Sequence, residues 1–164
     1  MPRWLACGRR RRALWLCACV ALVLRALGPW QLLPSDEDGP SEAVFRWLMA
    51  GHPDERYFLS VKGVAPRQAF AARFRDVGAA ILPPEAMALA TRTGDRDGYV
   101  ERTTGRPGTC FEVDELHLDL VTGIVCVRGG GSRGPGSGDS GTFYLARTPW
   151  GRWVVLWYRM EAME

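Results

Sequence analysis

Between Tyr99 and Tyr158 the apolar residues recur at every second position, and a chain with that period can bury them only by forming a sheet. Phe111 and Val113 alternate with Glu112 and Asp114, whereas Leu116, Leu118 and Leu120 alternate with His117 and Asp119 in the opposite phase. A slip of one residue turns a strand over, so a bulge or tight turn near Asp114-Glu115 must separate the two runs. Ile124 to Val127, Thr142 to Arg147 and Arg152 to Tyr158 supply three more strands, the last two joined by a turn at Pro149-Trp150-Gly151. The pattern is that of an antiparallel meander of four to five strands. The last run is apolar on both faces, Trp153, Val155 and Trp157 against Val154, Leu156 and Tyr158, which predicts a mid-sheet position with a helix over one side.

Upstream of the meander the period is helical. Ser41 is a natural N-cap, Val44, Phe45 and Leu48 form a stripe, and Gly51 can close the helix. Tyr57 to Val61 reads as a short strand. Pro66 at a first helical position, Phe70, Phe74 and Val77, and Gly78 at the end mark a second helix. Pro83-Pro84 then breaks the chain, and Met87 to Ala90 fits either helix or strand. The expected class is α+β: an N-terminal membrane-targeting helix, then two helices packed on the meander, a helix-over-curved-sheet arrangement of the cystatin-like or nuclear-transport-factor-like kind.

Arg9, Arg10, Arg11 and Arg12 stand directly before twelve uncharged residues, Ala13 to Leu24. A basic n-region followed by such an h-region directs a chain to a membrane, with the arginines held on the inner side. Twelve residues are short of the roughly 20 that a spanning helix needs. Extension through Ala26, Leu27, Trp30, Leu32 and Leu33 reaches that length while carrying Arg25, Gly28 and Pro29. Ala26 and Gly28 imitate a cleavage site, but Pro29 would follow it and hinder a peptidase, so the reading favours an uncleaved anchor. The organisation is then 1–33 as signal-anchor or signal peptide, 34–40 as an acidic tether, and 41–164 as one domain. That domain sits at the cell membrane on a single pass with the N-terminus inside, or in the periplasm or exterior if the leader is cleaved.

Charge separates along the same line. Six of the 21 basic residues precede position 34 and all 18 acidic ones follow it, so the body is net negative. A basic nucleic-acid footprint is absent from it, which excludes that partner class. Cys110 and Cys126 lie in predicted strands of a body that would enter an oxidising compartment, where neighbouring antiparallel strands could bring them to disulfide distance. Two buried thiols acting as small hydrophobes are the other reading. No spacing of His and Cys suits a metal, and no cofactor is expected.

Three constellations invite sharper claims. Gly138-Asp139-Ser140-Gly141 is the tetrapeptide around the nucleophile of chymotrypsin-like proteases, yet a body this small cannot build their two barrels, and Asp139 and Ser140 read as turn formers. The segment 129–141 lacks the G-K-[ST] ending of a phosphate loop and reads as a flexible Gly-rich connector. Thr93 to Gly98 matches part of a calcium loop without its first and closing ligands, and reads as a turn.

Thr104-Gly105-Arg106-Pro107, the alternating strands after it and the ending Gly151-Arg152-Trp153-Val154-Val155, with Phe58-Leu59-Ser60-Val61 and Pro66 to Phe74, resemble a group of short, exported bacterial proteins of uncharacterised function. The likeness spans roughly residues 57 to 155, implies the same fold and carries no activity.

Two functions of different class follow. The first is a non-enzymatic, membrane-tethered or exported module that binds an envelope protein or small ligand, for which exposed Trp30, Trp47 or Trp150 would speak. The second is a small pocketed enzyme with His117 and Asp119 as acid and base, which requires both side chains to enter a pocket while Leu116, Leu118 and Leu120 point away from it. Arg73, Arg75 and Asp76 would be secondary pocket residues. His52 has no partner nameable from the sequence.

Overall fold

A computed structural model describes residues 38–92, 96–119 and 122–163. Arg9 to Arg12, the anchor and Trp30 lie outside the described residues, as do Thr93 to Asp95 of the calcium-loop fragment.

Helix α1 (Asp38–Gly51) opens the described chain. Asp38, Gly39 and Pro40 belong to it, not to a tether, because a first-turn proline gives up an N–H that the helix leaves unpaired anyway. Ser41 therefore lies inside the helix, where it is buried, and is not the cap. Strand β1 (Arg56–Val61) follows. The second helix is shorter than its periodicity suggests: α2 (Gln68–Ala71) makes one turn and continues as a 3-10 helix, Ala72–Val77. Its stop is as expected, with Gly78 left-handed at φ 76°. Beyond β2 (Ala80–Leu82) and a 3-10 turn at Pro84–Ala86 come β3 (Met87–Arg92) and β4 (Arg96–Glu101), so Met87 to Ala90 is strand. The rest is β5 (Thr109–Asp119), β6 (Ile124–Ser132), β7 (Gly138–Arg147) and β8 (Trp153–Met163).

The main sheet has six strands in the order β2-β1-β5-β6-β7-β8, and β3 pairs with β4 as a separate hairpin. β5 to β8 form the expected antiparallel meander. β1 departs from it, pairing parallel with both β5 and β2. The bulge demanded by the phase change is present: pairing with β6 shifts register between Val113 and Glu115. β8 is an edge strand, which corrects the mid-sheet expectation. Its two apolar faces arise because one side packs under the helix while the other stays in solvent.

One side of the sheet holds the core. Val44, Phe45, Leu48 and Met49 of α1 and Phe70 and Phe74 behind it meet Tyr57, Leu59, Phe111, Val113, Val125, Val127, Phe143 and Leu145. Phe45, Phe70 and Phe74 pack edge to face at centroid distances of 5.4 to 6.2 Å, a geometry that suits the ring quadrupoles. Arg46 pins the helical layer together. Its guanidinium donates to Glu42 at 3.0 Å and Asp76 at 2.8 Å, and it lies 5.3 Å from the Phe74 ring. Arg73 donates to Glu42 at 3.1 Å. Arg73 and Asp76 thus fasten the second helix to the first and belong to no pocket wall described below.

The glycines of 129–141 are structural. Gly129 to Ser132 lie in β6 and Gly138 to Gly141 in β7, leaving only residues 133–137 as a connection. A Cβ at Gly129 would strike the Glu112 carbonyl, one at Gly130 the Asp139 carbonyl, one at Gly141 the Arg159 carbonyl, and one at Gly131 would come within 2.6 Å of the Phe111 ring. The strands approach too closely for side chains here, so the flexible-connector reading is corrected.

Candidate binding surface

The side of the sheet away from α1 is built by the same alternation. Partners in register carry Glu115, Arg128, Thr142 and Arg159 in one row and His117, Cys126, Tyr144 and Trp157 in the next. Tyr144 stacks on Trp157 with centroids 5.2 Å apart and rings inclined 24°. Arg128 reaches Glu161 at 3.7 Å, and Thr142 donates to the same carboxylate at 2.6 Å.

Near β1 this side is roofed by the β3–β4 hairpin. Arg56 of β1 donates to Glu101 of β4 at 3.1 Å, an ion pair in which both side chains are largely shielded. Thr104 and Thr103 donate to the same carboxylate, so the TGRP turn is tied to the hairpin end. These donors, Thr104 first, hold the Glu101 carboxyl below its usual range. Tyr99 N–H donates to the Arg133 carbonyl at 2.8 Å, joining the hairpin to the 133–137 connection.

Between roof and sheet runs a groove of about 410 Å³. The carboxylates of Glu112 and Asp114 wall it, Tyr99 and Pro135 close its sides, and Gly129 to Gly131 give it a floor of bare backbone; Asp139 borders it through its backbone, because it lies in register with Gly131 and Phe111, which face α1. Ser60 donates to Glu112 at 3.1 Å and fixes that carboxylate. The connection is braced by Ser137 Oγ, which donates to the Gly134 carbonyl at 2.8 Å, and by Gly136 at φ 66°.

Cys110 lines this groove as a free cysteine. Burial, helped by the neighbouring Glu112 charge, pushes its thiol up to about 11. It is therefore protonated at neutral pH, the form that neither attacks nor ligates readily. Cys126 is also free, and burial raises its thiol in the same direction. The expected disulfide between them is corrected by register: Cys110 faces Ser132 and Cys126 faces His117. Six residues of β6 separate those positions, roughly 20 Å at strand rise, against the ~5.5 Å that a disulfide spans.

His117 and Asp119 do share the solvent side, because Leu116 and Leu118 pack against the core. His117 is exposed opposite Cys126. Asp119 shapes the β5–β6 turn, its carboxylate accepting from Thr122 Oγ1 at 2.8 Å and its carbonyl from Gly123 N–H at 2.8 Å. Neither lines the acidic groove. The cavity that an acid–base pair needed under the helix is filled by the phenylalanine core, so the enzyme reading loses its geometric condition. Ser140 sits beside the groove, opposite Gly130, whereas His117 lies in the Tyr144 row, four residues or roughly 13 Å further along the strands. That separation forbids a nucleophile–base hydrogen bond, and Asp139 and Ser140 are strand residues and not turn formers. Among the described residues no group of three or more His, Cys, Asp or Glu side chains is placed to hold a metal ion.

Sequence reasoning missed the groove itself. Its acids were visible only as the polar half of an alternation, and its glycines as a connector. Trp47 is half-exposed, 5.3 Å from Phe143 and 5.1 Å from Tyr158, and Trp150 stands out in the β7–β8 turn. No helix among the described residues is long and apolar enough to cross a membrane. No family model, curated protein or solved structure matches the chain.

Proposed function

We propose that the chain is an exported or membrane-tethered binding module of the cell envelope, held by its arginine-led N-terminal segment and working through the side of the sheet that faces away from α1. One observation carries this reading. Four neighbouring strands, β5 to β8, leave that side open, with Tyr144 stacked on Trp157 at one place and a carboxylate-walled groove at another. Open aromatic surface beside organised charge is the composition of recognition surfaces. Glu112 and Asp114 direct the groove towards cationic groups on the partner. Exposed Trp47 and Trp150 add to the same side of the balance.

The likeness to short exported bacterial proteins belongs to this proposal, as does the cystatin-like or nuclear-transport-factor-like arrangement, which α1 lying across the meander supports. A photo-reactive residue at position 144 tests the reading in intact cells of a Gram-negative host. The expected result is a discrete crosslinked adduct that is lost when Glu112→Gln and Asp114→Lys together turn the groove's charge positive and is absent when the photo-reactive residue stands at Arg75. Equal labelling from both positions, or none from position 144, overturns it.

A further inference from the structure

β8 ends the sheet, and nothing in the described chain pairs with its outer edge. It is 11 residues long, about 36 Å of backbone with free hydrogen-bonding groups. Its apolar side chains are unusually open: Val154 is 40% exposed, Leu156 59%, Trp157 63% and Met160 50%. No proline or lysine interrupts Arg152 to Glu161, and the pairing with β7 shifts register twice, skipping Leu156 and Glu161.

The geometry points to a second copy of this chain as the occupant of that edge. The two β8 strands would pair antiparallel about a two-fold axis between Leu156 and Trp157. Two independent features select this register. The first is charge, because the axis sets Arg152 opposite Glu161 on both sides, where it joins Thr142 and Arg128 at that carboxylate, and the residues between are apolar or aromatic except Arg159, which faces Val154. Sliding by two residues one way brings Arg152 onto Arg159, and sliding the other way takes Arg152 off Glu161 and sets it against Met163.

The second is facing. An axis between two residues of a regular strand would pair side chains from opposite sides of the sheet. In β8 the pairing with β7 skips Leu156, as Tyr144 meets Trp157 and Leu145 meets Val155. That extra residue reverses the alternation in mid-strand. Val155 and Tyr158 both lie on the α1 side, Val154 and Arg159 both on the other, and they become the cross-strand partners. The register that satisfies charge is thus also the one that keeps the two cores on one side of a continuous twelve-stranded sheet. Val154, Leu156 and Trp157 leave water at the junction.

Sedimentation equilibrium of the full chain in density-matched mild detergent tests the inference. A dimer is expected. Arg152→Glu places two like-charged pairs at the junction and should weaken it by about tenfold or more. Adding Glu161→Arg in the same chain rebuilds both pairs with the signs exchanged and should restore the dimer to within about threefold. Association through the N-terminal segment alone would leave the charge variants without effect and would overturn the inference, as would a monomer at tens of micromolar or a larger assembly. Leu156→Lys should give a monomer with unchanged unfolding temperature, because the side chain is exposed in the single chain; a dimer that survives it refutes the pairing.

Discussion

Replacing Gly130 with alanine separates two opposite accounts of the glycine-rich segment by the sign of its effect. Gly130 sits opposite Ser140 in the β6–β7 ladder, and an alanine methyl would strike the Asp139 carbonyl and stand 2.9 Å from Ser140 Cα. Both obstacles are backbone, so the strands must part locally. Overpacking of this kind costs about 1–3 kcal/mol, and loosening one pair of ladder hydrogen bonds about 1–3 more. The narrower unfolded ensemble of alanine offsets about 0.4–1 kcal/mol. The net loss is about 1–5 kcal/mol, or roughly 4–20 °C in Tm for a body of this size. Gly51→Ala is the control: its methyl would meet nothing within 4 Å at the end of α1, and a gain of about 0.5 kcal/mol is expected. Urea unfolding of the full chain, followed by tryptophan fluorescence, measures both. A flexible connector would make Gly130→Ala neutral or slightly stabilising, and that result would refute the close-packed ladder.

Other consequences are more local. At pH 8 Cys110, with its thiol at about 11 against an ordinary 9.0, should be alkylated by iodoacetamide about a hundredfold more slowly than a free thiol, and mass mapping should find no Cys110–Cys126 linkage after oxidative export. Phe143→Ala empties a fully buried site under Trp47 and Tyr158 and should cost about 3–5 kcal/mol in the same urea experiment. Thr104 and Arg56 depress the Glu101 carboxyl in the folded state, so their contribution is complete above the ordinary carboxylate value of 4.5 and fades as pH falls through the depressed one. Stability measured from pH 7 to pH 3 should therefore decline less steeply in Glu101→Gln than in the parent chain. A double-mutant cycle of Arg46→Ala and Asp76→Ala should return no coupling beyond experimental error, because the pair is solvent-exposed.

What the sequence disclosed was what depends on neighbours along the chain. The opposed phases of Phe111–Val113 and Leu116–Leu120 demanded a bulge, and one lies between Val113 and Glu115. Gly78 stops the second helix as its position implied, and Gly151, at φ 84°, sits in the expected β7–β8 turn. What remained hidden depends on strands distant in sequence. β1 finds β5 across some 50 residues and runs parallel to it, which no local period encodes. The glycines at 129–131 and 141 look like a linker until the carbonyls of Glu112, Asp139 and Arg159 stand beside them. β8 carries apolar residues on both sides, the mark of a central strand, but nothing in its own residues tells that no described strand pairs with its outer edge. The acidic groove was hidden for the same reason, since Glu112 and Asp114 meet the bare backbone of Gly129 to Gly131 only once β5, β6 and β7 are in register.

The claim that the chain serves at the envelope is tested most directly by fractionating cells that express it and measuring intact mass in each fraction. The account predicts full-length protein in the membrane fraction, resistant to carbonate extraction, with the body digested by protease added on the outer side of spheroplasts. A periplasmic species shortened by about 28 residues keeps the exported module and replaces anchor by cleaved leader. Full-length protein in the soluble cytoplasmic fraction, shielded from that protease, contradicts the account.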